Sequence, residues 1–363
     1  MNVTELWIDK SNFRNTRSVE AAPPELRDGD VRVAIDKFAV TSNNVGYAFS
    51  GEMIGYWRFF PTDEEPWGKV TVWGMADVVE SHSSEIEVGE RLYGFFPMSS
   101  QVVLTPGRIK AEYFMDVAPH RQDLPALYNQ YSRTSAEPAE LRAIEDARCV
   151  LFPLFATGFV IADFLHDNEW FGAEQILIGS VSSKTGYGLA KFVKENGYNG
   201  QIIGLTSERN RTFVETTGLC DQLVTYDNVD TLADVASVYV DMSGDGPLRA
   251  RLHHHLGDKM VNSQIVGVTH WEAEPTNELL PGSQPVFFFA PAQIDKRNAD
   301  WGAGVLTEKA YAASAALAAK LQPLLRMERY GGVEACATVW RDMLDNKISG
   351  QQGIMVSLQS EIE

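Results

Sequence analysis

Residues 175–197 have the residue types and spacing that could hold a phosphate group. Residues 176–178 form a short apolar run that predicts a buried strand, residues 179–183 are small, and apolar positions then recur at helical spacing up to Gly197. A strand that enters a helix through a turn of small residues leaves unpaired N–H groups at the positive end of the helix dipole. Such a point binds anions, so this segment predicts a phosphate site.

Two phosphate-binding motifs resemble this turn, and one of them fails on spacing. A nucleotide-triphosphate loop could end in the Ser-Lys-Thr of residues 183–185, but Ile178 stands where that loop needs its first glycine. A dinucleotide fingerprint would have glycines at Ser180, Ser183 and Gly186, and only the last of these is a glycine. A plain strand–helix turn without a ligand is the third interpretation. If the turn holds a dinucleotide, the predicted contacts are Ser180, Ser182, Ser183, Lys184, Thr185 and Gly186.

The tip of the next predicted strand, residues 201–205, favours NADP(H) over NAD(H). An NAD site usually has an acidic residue about twenty residues past the glycine turn, where it holds the ribose 2′-hydroxyl. Thr206 and Ser207 stand there instead, and Arg209 and Arg211 follow; Glu208 is the counter-evidence, but it comes two residues late. Hydroxyl groups together with arginine suit a 2′-phosphate through charge-assisted hydrogen bonds. The alternative is an exposed polar start of a helix.

Predicted strands and helices alternate over residues 152–291, a pattern typical of a parallel sheet with right-handed crossovers. The turn after the fourth strand of this series contains Asp241 and Ser243. In an open parallel sheet this strand end lies beside a bound dinucleotide, so both residues join the predicted cofactor set. Residues 1–105 instead read as β-strands. Residues 107–150 are polar and predict two short helices, which could form a lid over a pocket.

Composition limits the classes of function. The 363 residues, 44% of them apolar, can bury a sizeable core in two domains. A net charge of −18 repels nucleic acid and anionic membranes, and no apolar stretch has the length of a membrane span. The N-terminus lacks a signal-peptide pattern, and the odd, widely spaced Cys149, Cys220 and Cys336 are typical of reduced thiols. We therefore expect a cytoplasmic protein that binds neither nucleic acid nor membrane.

The order of these features resembles the medium-chain dehydrogenase/reductase superfamily. The features are the β-rich N-terminal part, Thr-Gly-Phe at 157–159, the 176–197 segment, the turn at Asp241 and an apolar strand at 286–290. The resemblance covers nearly the whole chain. It is strongest for the zinc-free quinone- and enoyl-reductase branch, within an outlying group.

This resemblance implies an α/β fold with two domains. Residues 1–152 would form a GroES-like β-rich catalytic domain that includes the 107–150 excursion. Residues 153–291 would form a Rossmann domain with a doubly wound parallel sheet, and residues 292–363 would return to the catalytic domain. The resemblance also implies NADP(H) as cofactor and a homodimer that pairs the apolar strand 285–291 across a two-fold axis.

The zinc ligands of related alcohol dehydrogenases are missing. Residues 39–47 contain no cysteine, and the four-cysteine lobe is absent. Residues 253–255 are three adjacent histidines, but successive helical residues point in different directions and cannot chelate one ion together. We therefore expect no metal.

Without a metal, a hydrogen-bond donor must stabilise the oxyanion or enolate that forms on hydride transfer. A phenol can do so and can also deliver a proton, which makes Tyr47 the first catalytic candidate, with Asn44 as an orienting donor. The alternative for Tyr47 is a packed core tyrosine. His270, after the predicted strand 262–268, is the third catalytic candidate, with a buried structural histidine as its alternative.

An aromatic-rich segment over residues 47–67 could form the wall of an apolar substrate pocket, or else a packed core or a dimer surface. The candidate pocket residues are Trp57, Phe59, Asn129, Tyr131 and Phe288. These features predict an NADPH-dependent, zinc-independent reductase of a small substrate with an apolar portion: an enone, an enoyl thioester or a quinone. A ketone or aldehyde reductase, and a degenerate nucleotide-binding protein without turnover, remain alternatives.

Overall fold

The computed structural model describes residues 2–267 and 279–359, and the chain divides into two compact units. Unit 1 is Met1–Val150 with Leu321–Glu363, and unit 2 is Leu151–Lys320. The strands are β1 (Val3–Asp9), β2 (Asn12–Ala21), β3 (Val31–Val40), β4 (Trp67–Gly68), β5 (Thr71–Ser81), β6 (Arg91–Pro97), β7 (Gln101–Leu104), β8 (Pro106–Gly107), β9 (Tyr113–Asp116), β10 (Gln130–Arg133), β11 (Gln175–Gly179), β12 (Gln201–Thr206), β13 (Gln222–Thr225), β14 (Ser237–Asp241), β15 (Met260–Ile265), β16 (Val286–Phe287), β17 (Arg326–Gly331) and β18 (Gln352–Ser357). The α-helices are α1 (Ser42–Phe49), α2 (Gly51–Ile54), α3 (Ala139–Arg142), α4 (Glu145–Asp167), α5 (Lys184–Glu195), α6 (Glu208–Thr217), α7 (Gly246–Leu256), α8 (Ala290–Trp301), α9 (Val305–Leu321) and α10 (Val333–Leu344).

Unit 1 is built on a mixed sheet. Its strands lie in the order β17-β18-β3-β5-β6-β10-β9-β8, β7 also pairs with β3, and a three-stranded sheet has the order β2-β1-β4. The sequence of β3 explains its position in this sheet. Val31, Val33 and Ile35 alternate with more exposed residues and are fully buried, so one face of the strand packs into the core. The C-terminal segment joins this sheet where β18 pairs antiparallel with β3.

The excursion predicted at 107–150 adds two short strands to this sheet beside its helical segments, which corrects the prediction that it contains no strands. Strands β9 and β10 pair with each other, and β10 also pairs with β6. Tyr131 lies at the centre of β10, fully buried, and its hydroxyl donates to the Phe95 carbonyl at 2.7 Å. Each of these strands has only four residues, which is too few for an alternating pattern to be recognised in the sequence. Pairing with distant strands therefore decides their conformation.

A helix interrupts the N-terminal region that was predicted to be β-structure throughout. Helix α1 begins with a capping box, in which the Thr41 side chain and the Asn44 side chain each bond to the other's backbone N–H. The Asn44 Nδ2 atom also donates to the Thr71 carbonyl in β5 at 2.7 Å. Because a contact across the fold holds this helix, its Asn- and Gly-containing sequence did not predict it.

The sequence predicts separate helices over 136–147 and 157–166, whereas α4 is one helix that spans the interval between them and continues through Pro153. Its length and apolar composition would suffice to cross a membrane, contrary to the expectation that no stretch is long enough. However, 67% of its apolar window is buried inside the structure, as in the core helix of a soluble protein.

Unit 2 contains a parallel sheet with the order β13-β12-β11-β14-β15-β16. Numbered from its first strand, this order is 3-2-1-4-5-6, which is the order of doubly wound dinucleotide-binding sheets. Leu177, Ile203, Leu205 and Tyr239 from three neighbouring strands form part of a buried cluster on one face. The predicted parallel sheet with crossover helices is therefore present.

Helices α8 and α9 belong to unit 2, so the chain rejoins unit 1 at Leu321 rather than at the predicted residue 292. The buried Asp163 of α4 explains the position of α8, because it accepts hydrogen bonds from Gln293 at 2.7 Å and Arg297 at 2.8 Å. The predicted apolar strand at 286–290 is also shorter than expected, since β16 has two residues and α8 begins at Ala290.

Candidate functional site

The turn between β11 and α5 has the geometry of a phosphate-binding turn despite its serines. Ser180 adopts the left-handed conformation with φ of 50°, which a glycine adopts more easily. Ser183 caps the helix, because its Oγ accepts from the Gly186 N–H at 3.1 Å while its own N–H donates to the Ser180 carbonyl at 2.8 Å. A Cβ at Gly186 would lie 2.8 Å from both the Ser180 carbonyl oxygen and the Val181 Cα. The retained glycine therefore allows the turn to pack closely on the helix.

Two N–H groups of this turn are open to a ligand. Within residues 2–267 and 279–359, the backbone N–H groups of Ser182 and Thr185 have no hydrogen-bond acceptor. The Ser182 side chain is held by Asn210, whose Nδ2 atom donates to Ser182 Oγ at 3.2 Å. These N–H groups and the positive end of the α5 dipole together favour a phosphate.

Lys184 adds a positive charge as the first residue of α5. Burial lowers the pKa of its ammonium group to about 8. The side chain therefore remains mostly protonated at neutral pH, beside a turn that already suits an anion.

The tip of β12 offers a buried hydroxyl at the place where a dinucleotide ribose binds. Thr206 is fully buried, and its Oγ1 atom has no hydrogen-bond partner among the described residues. Ser207 precedes α6 in an extended conformation, and Arg209 is exposed on its first turn. Arg211, one of the predicted phosphate ligands, instead bonds along its own helix, where its Nε atom lies 3.0 Å from Glu215 Oε1. The structure thus brings Thr206, Ser207 and Arg209 to the strand tip and engages Arg211 elsewhere.

Asp241 organises the turn after β14 and does not present a free carboxylate. Its Oδ1 atom accepts from the N–H and hydroxyl of Ser243, each at 2.9 Å, and its Oδ2 atom pairs with Arg249 at 2.8 Å. Asp241 is also paired in register with Gly179 at the end of β11. The two predicted cofactor turns therefore lie side by side at the carboxyl edge of the sheet, which is where such sheets bind ligands.

The Tyr47 hydroxyl, in unit 1, is held by two donors. Asn43 Nδ2 donates to the Tyr47 oxygen at 2.8 Å, and Trp73 Nε1 donates to it at 3.2 Å. Tyr47 is buried, and burial, followed by the neighbouring Tyr128, raises the pKa of its hydroxyl well above the usual value. Because both acceptor positions of the oxygen are filled, Tyr47 acts as a donor through its proton, and the Tyr128 hydroxyl is its hydrogen-bonding neighbour in this structure.

Asn44 does not orient Tyr47 as predicted. Both ends of its amide group bond to backbone groups, the Thr71 carbonyl and the Thr41 N–H. Asn43 takes the expected role instead, because residues 43 and 47 are four apart and share one face of α1. That spacing would have identified Asn43 if the helix had been recognised from the sequence. His270, the third catalytic candidate, lies outside the described residues.

The pocket candidates of unit 1 are packed core residues, so the core alternative applies to them. Trp57 lies against two glycines, since a Cβ at Gly51 would be 2.1 Å from its Nε1 atom and a Cβ at Gly68 would be 2.6 Å from its ring. Phe59 is fully buried, as is Tyr131. Bulk at these positions is needed for packing, and it leaves no open wall there.

Asn129 and Phe288 differ from these three. Asn129 is buried and its Nδ2 atom donates to the Arg121 carbonyl at 3.3 Å, while its Oδ1 atom has no partner within the described part of the chain. Phe288 belongs to unit 2, where it packs edge-on against Phe164 with ring centroids 5.5 Å apart. Neither set of contacts identifies a substrate-binding surface.

Sequence analysis missed a second pair of tyrosines beside Tyr47. The hydroxyls of Tyr56 and Tyr128 lie 2.8 Å apart, and the Tyr56 ring lies 4.5 Å from the Tyr47 ring between centroids. Residues 47 and 56 were within the aromatic segment, but Tyr128 comes from a distant turn. No sequence signal joins it to the other two.

No group of three potential metal ligands occurs within residues 2–267 and 279–359. Two of the three adjacent histidines have separate protein partners. The ring nitrogens of His253 lie 2.8 Å from the Pro281 carbonyl and 3.0 Å from Ser263 Oγ, and His255 Nε2 lies 2.9 Å from the Leu232 carbonyl.

Comparison with known families gives one match, to a family described as "Protein of unknown function (DUF2855)", over residues 38–349. A comparison with curated proteins finds no match.

Several solved structures share the fold. CurA from Vibrio vulnificus in complex with NADPH is 13% identical, with a TM-score of 0.63 over 99% of this chain and 100% of that chain. The quinone oxidoreductase from Coxiella burnetii is 12% identical, with a TM-score of 0.53 over 99% and 100%. A mutant enoyl thioester reductase from Candida tropicalis is 11% identical, with a TM-score of 0.54 over 98% and 100%. These likenesses confirm the predicted fold, a GroES-like domain with a Rossmann domain.

Proposed function

We propose that this chain, which belongs to the DUF2855 family, is an NADPH-dependent, zinc-independent reductase of carbonyl-conjugated double bonds or quinones. One observation carries the proposal: a parallel sheet of dinucleotide-binding order whose first turn presents open N–H groups at a helix start. Solved structures that share the fold support it, since they include a quinone oxidoreductase, an enoyl thioester reductase and CurA in complex with NADPH.

The residues of unit 2 fit an NADPH molecule. The N–H groups of Ser182 and Thr185 would bind the pyrophosphate, with the ammonium of Lys184 as a nearby charge. The buried Thr206 hydroxyl, which has no partner among the described residues, would bind the adenosine ribose, and Arg209 would bind its 2′-phosphate. The strand itself ends at Thr206 without a carboxylate, and the first acidic residue after it, Glu208, follows two residues later on the first turn of α6.

NADPH supplies the hydride when bound, and the chain must stabilise the negative charge that then appears on the substrate oxygen. Tyr47 suits this task, because Asn43 and Trp73 fix its oxygen and leave its O–H to donate. The two N–H dipoles directed at the oxygen also stabilise the charge that gathers there as the proton leaves.

Ketone or aldehyde reduction is the first alternative, since the same hydride donor and the same phenol would serve it. A nucleotide-binding protein without turnover is the second, because serines replace two glycines of the dinucleotide fingerprint. The left-handed Ser180 supports nucleotide binding, which the proposed function and both alternatives share, since the turn keeps the backbone shape that a glycine would give it.

One experiment separates these functions. NADPH is titrated by fluorescence, and enones, enoyl thioesters, quinones and ketones are then screened for loss of NADPH, with and without a metal chelator. The proposal predicts binding and turnover of a conjugated substrate or quinone, unaffected by chelation and without stoichiometric zinc by elemental analysis. Binding without any turnover supports the degenerate alternative, turnover of ketones alone supports the carbonyl reductase, and activity restored by added zinc contradicts zinc independence.

We further propose a homodimer, located in the cytoplasm, that acts on a small apolar molecule and binds neither nucleic acid nor membrane. Strand β16 supports the dimer, because among the described residues it pairs only with β15 and ends the sheet. Its residues Val286 and Phe287 are 56% and 39% exposed, which is unusual for large apolar side chains. The net charge of −18 supports the absence of nucleic-acid binding.

A further inference from the structure

Tyr47 needs a source for the proton that it gives away. After donating to a substrate oxygen it would be a phenolate, buried and held by two groups, Asn43 and Trp73. Amide and indole N–H groups donate hydrogen bonds but do not release protons at neutral pH. The proton must therefore come from another neighbour.

The Tyr128 hydroxyl is that neighbour. It lies near enough to Tyr47 to interact with it, and the two rings meet edge to face with centroids 6.1 Å apart. Tyr128 is itself paired with Tyr56, hydroxyl to hydroxyl, at 2.8 Å. Among the described residues, Tyr128 is the acidic hydroxyl that connects Tyr47 to a further hydroxyl.

The exposure of the three tyrosines indicates where a proton from solvent can reach them. Tyr47 and Tyr56 are 6% and 7% exposed, whereas Tyr128 is half-buried. The aromatic rings of Phe59 and Phe95 pack around the three tyrosines and restrict water between them. Exchange with solvent at Tyr47 therefore depends on its neighbours more than on direct contact with water.

We propose that Tyr128, held in place by Tyr56, relays a proton from solvent to Tyr47. In each cycle the Tyr47 O–H bond breaks, its proton bonds to the negatively charged substrate oxygen, and its electron pair stays on Tyr47. The Tyr128 proton then moves to Tyr47, and water, which reaches the half-buried Tyr128 more readily than the buried Tyr56, gives a proton to Tyr128 and leaves hydroxide in the solvent. The net result is one proton taken from solvent. Tyr128 and Tyr56 act through Tyr47 and are positioning residues in this scheme.

The relay rests on the proposed function for its purpose, but it can be measured without activity. Tyrosine labelled with ¹³C at Cζ shows separate NMR signals for the O–H and O–D forms in mixed water, so each hydroxyl reports its own exchange rate. The Tyr47 signal is identified by its loss in Tyr47→Phe. In Tyr128→Phe, which keeps the ring, we expect exchange at Tyr47 to slow by about tenfold or more, the effect on a rate of losing one hydrogen-bonded partner.

Tyr113→Phe, a tyrosine of β9 in the same unit, is the matched control and should leave the Tyr47 exchange rate unchanged. Unaltered exchange at Tyr47 in Tyr128→Phe overturns the relay, whatever the activity. A second measurement uses turnover: because reprotonation of Tyr47 slows in Tyr128→Phe, the relay predicts a lower kcat with a larger solvent deuterium isotope effect, while KM stays the same. A chain without NADPH-dependent turnover overturns the proposed function, and the exchange rates still decide the relay.

Discussion

At the scale of single residues, the hydrogen bonds that a polar side chain already makes decide whether it suits a catalytic or a structural role. Asn44 has both ends of its amide bonded to fixed backbone groups, while Tyr47 accepts two hydrogen bonds and directs its own proton to a neighbouring hydroxyl, that of Tyr128. These differences explain why one residue of the predicted pair fits a catalytic role and the other fits a structural one.

Replacement of Tyr47 by phenylalanine tests its role. The variant keeps the ring but loses the donor, so hydride transfer should slow by roughly a hundredfold or more, from about 2.7–4 kcal/mol of lost stabilisation. It also leaves Asn43 Nδ2 and Trp73 Nε1 without their acceptor, which should lower the free energy of unfolding by about 1–3 kcal/mol.

Stopped-flow measurement of hydride transfer well below the melting temperature separates the two effects, and NADPH affinity should stay nearly unchanged. Undiminished hydride transfer would remove Tyr47 from the mechanism.

Gly186 permits a second test at this scale. Gly186→Ala forces a Cβ into two backbone atoms 2.8 Å away, so the turn or the start of α5 must shift. We expect a loss of about 1–3 kcal/mol in the free energy of unfolding, the usual cost of overpacking, and weaker NADPH binding. Gly246→Ala is the matched control, since the nearest atom to its Cβ would be 3.8 Å away. Equal denaturation midpoints for the two variants would show that the turn accommodates a Cβ at Gly186 without strain.

At the scale of elements, the N-terminus of α4 is fixed by a network of charges. Glu145 pairs with Arg91 at 2.6 Å and with Lys37 at 2.9 Å, and Asp146 pairs with Lys37 at 2.8 Å and with Arg329 at 2.6 Å. The network links α4 to β3, β6 and β17 within unit 1. Removal of one member leaves the remaining charges partly buried and unbalanced.

The pH dependence of stability should show this network. Burial raises the pKa of Glu145, but hydrogen bonds from Arg91 and Lys37 lower it further, to about 2 from the ordinary 4.5. A lowered folded-state pKa stabilises the fold above the unfolded value, and this contribution is lost as pH falls from about 4.5 through about 2. In Glu145→Gln, urea unfolding should depend less on pH within that window. The exposed Glu140→Gln serves as control. The same pH slope in native protein and Glu145→Gln would contradict the role of the network.

Sequence periodicity predicted the elements of unit 2 better than those of unit 1. Sequence periodicity predicts a strand over 237–241 and a helix over 208–217, and β14 and α6 have these bounds, because a buried parallel strand and an amphipathic helix show their period in sequence. Helix α1 and strand β10 could not be predicted in this way. The first depends on the bond from Asn44 to the Thr71 carbonyl, and the second on pairing with strands on both sides.

The candidate site divides in the same way. The cofactor turn and the tip of β12 were predicted from residue types at a fixed spacing, because backbone geometry at the end of a strand depends on local sequence. The partners of Tyr47 were not, since Trp73 and Tyr128 reach it from distant parts of the chain.

At the scale of the whole molecule, the exposed edge at β16 predicts association. The native protein should be a dimer by light scattering at micromolar concentration, and Phe287→Asp should shift it to monomer, because a charge beside an apolar edge strand blocks pairing. Leu324→Asp, which changes another residue that is 50% exposed but belongs to unit 1, should leave the dimer intact. A native monomer, or equal effects of the two substitutions, would contradict pairing through β16.

The central claim is that the chain binds NADPH through the β11–α5 turn and the tip of β12. Isothermal titration of the native protein with NADPH and NADH tests it directly. We expect clear preference for NADPH, and a loss of about 1–3 kcal/mol of its binding free energy in Arg209→Gln with little change for NADH, the scale of one charged hydrogen bond. Arg251→Gln, an exposed arginine paired with Asp230, should bind as the native protein does. Equal affinity for the two nucleotides, or binding of neither, would contradict the account.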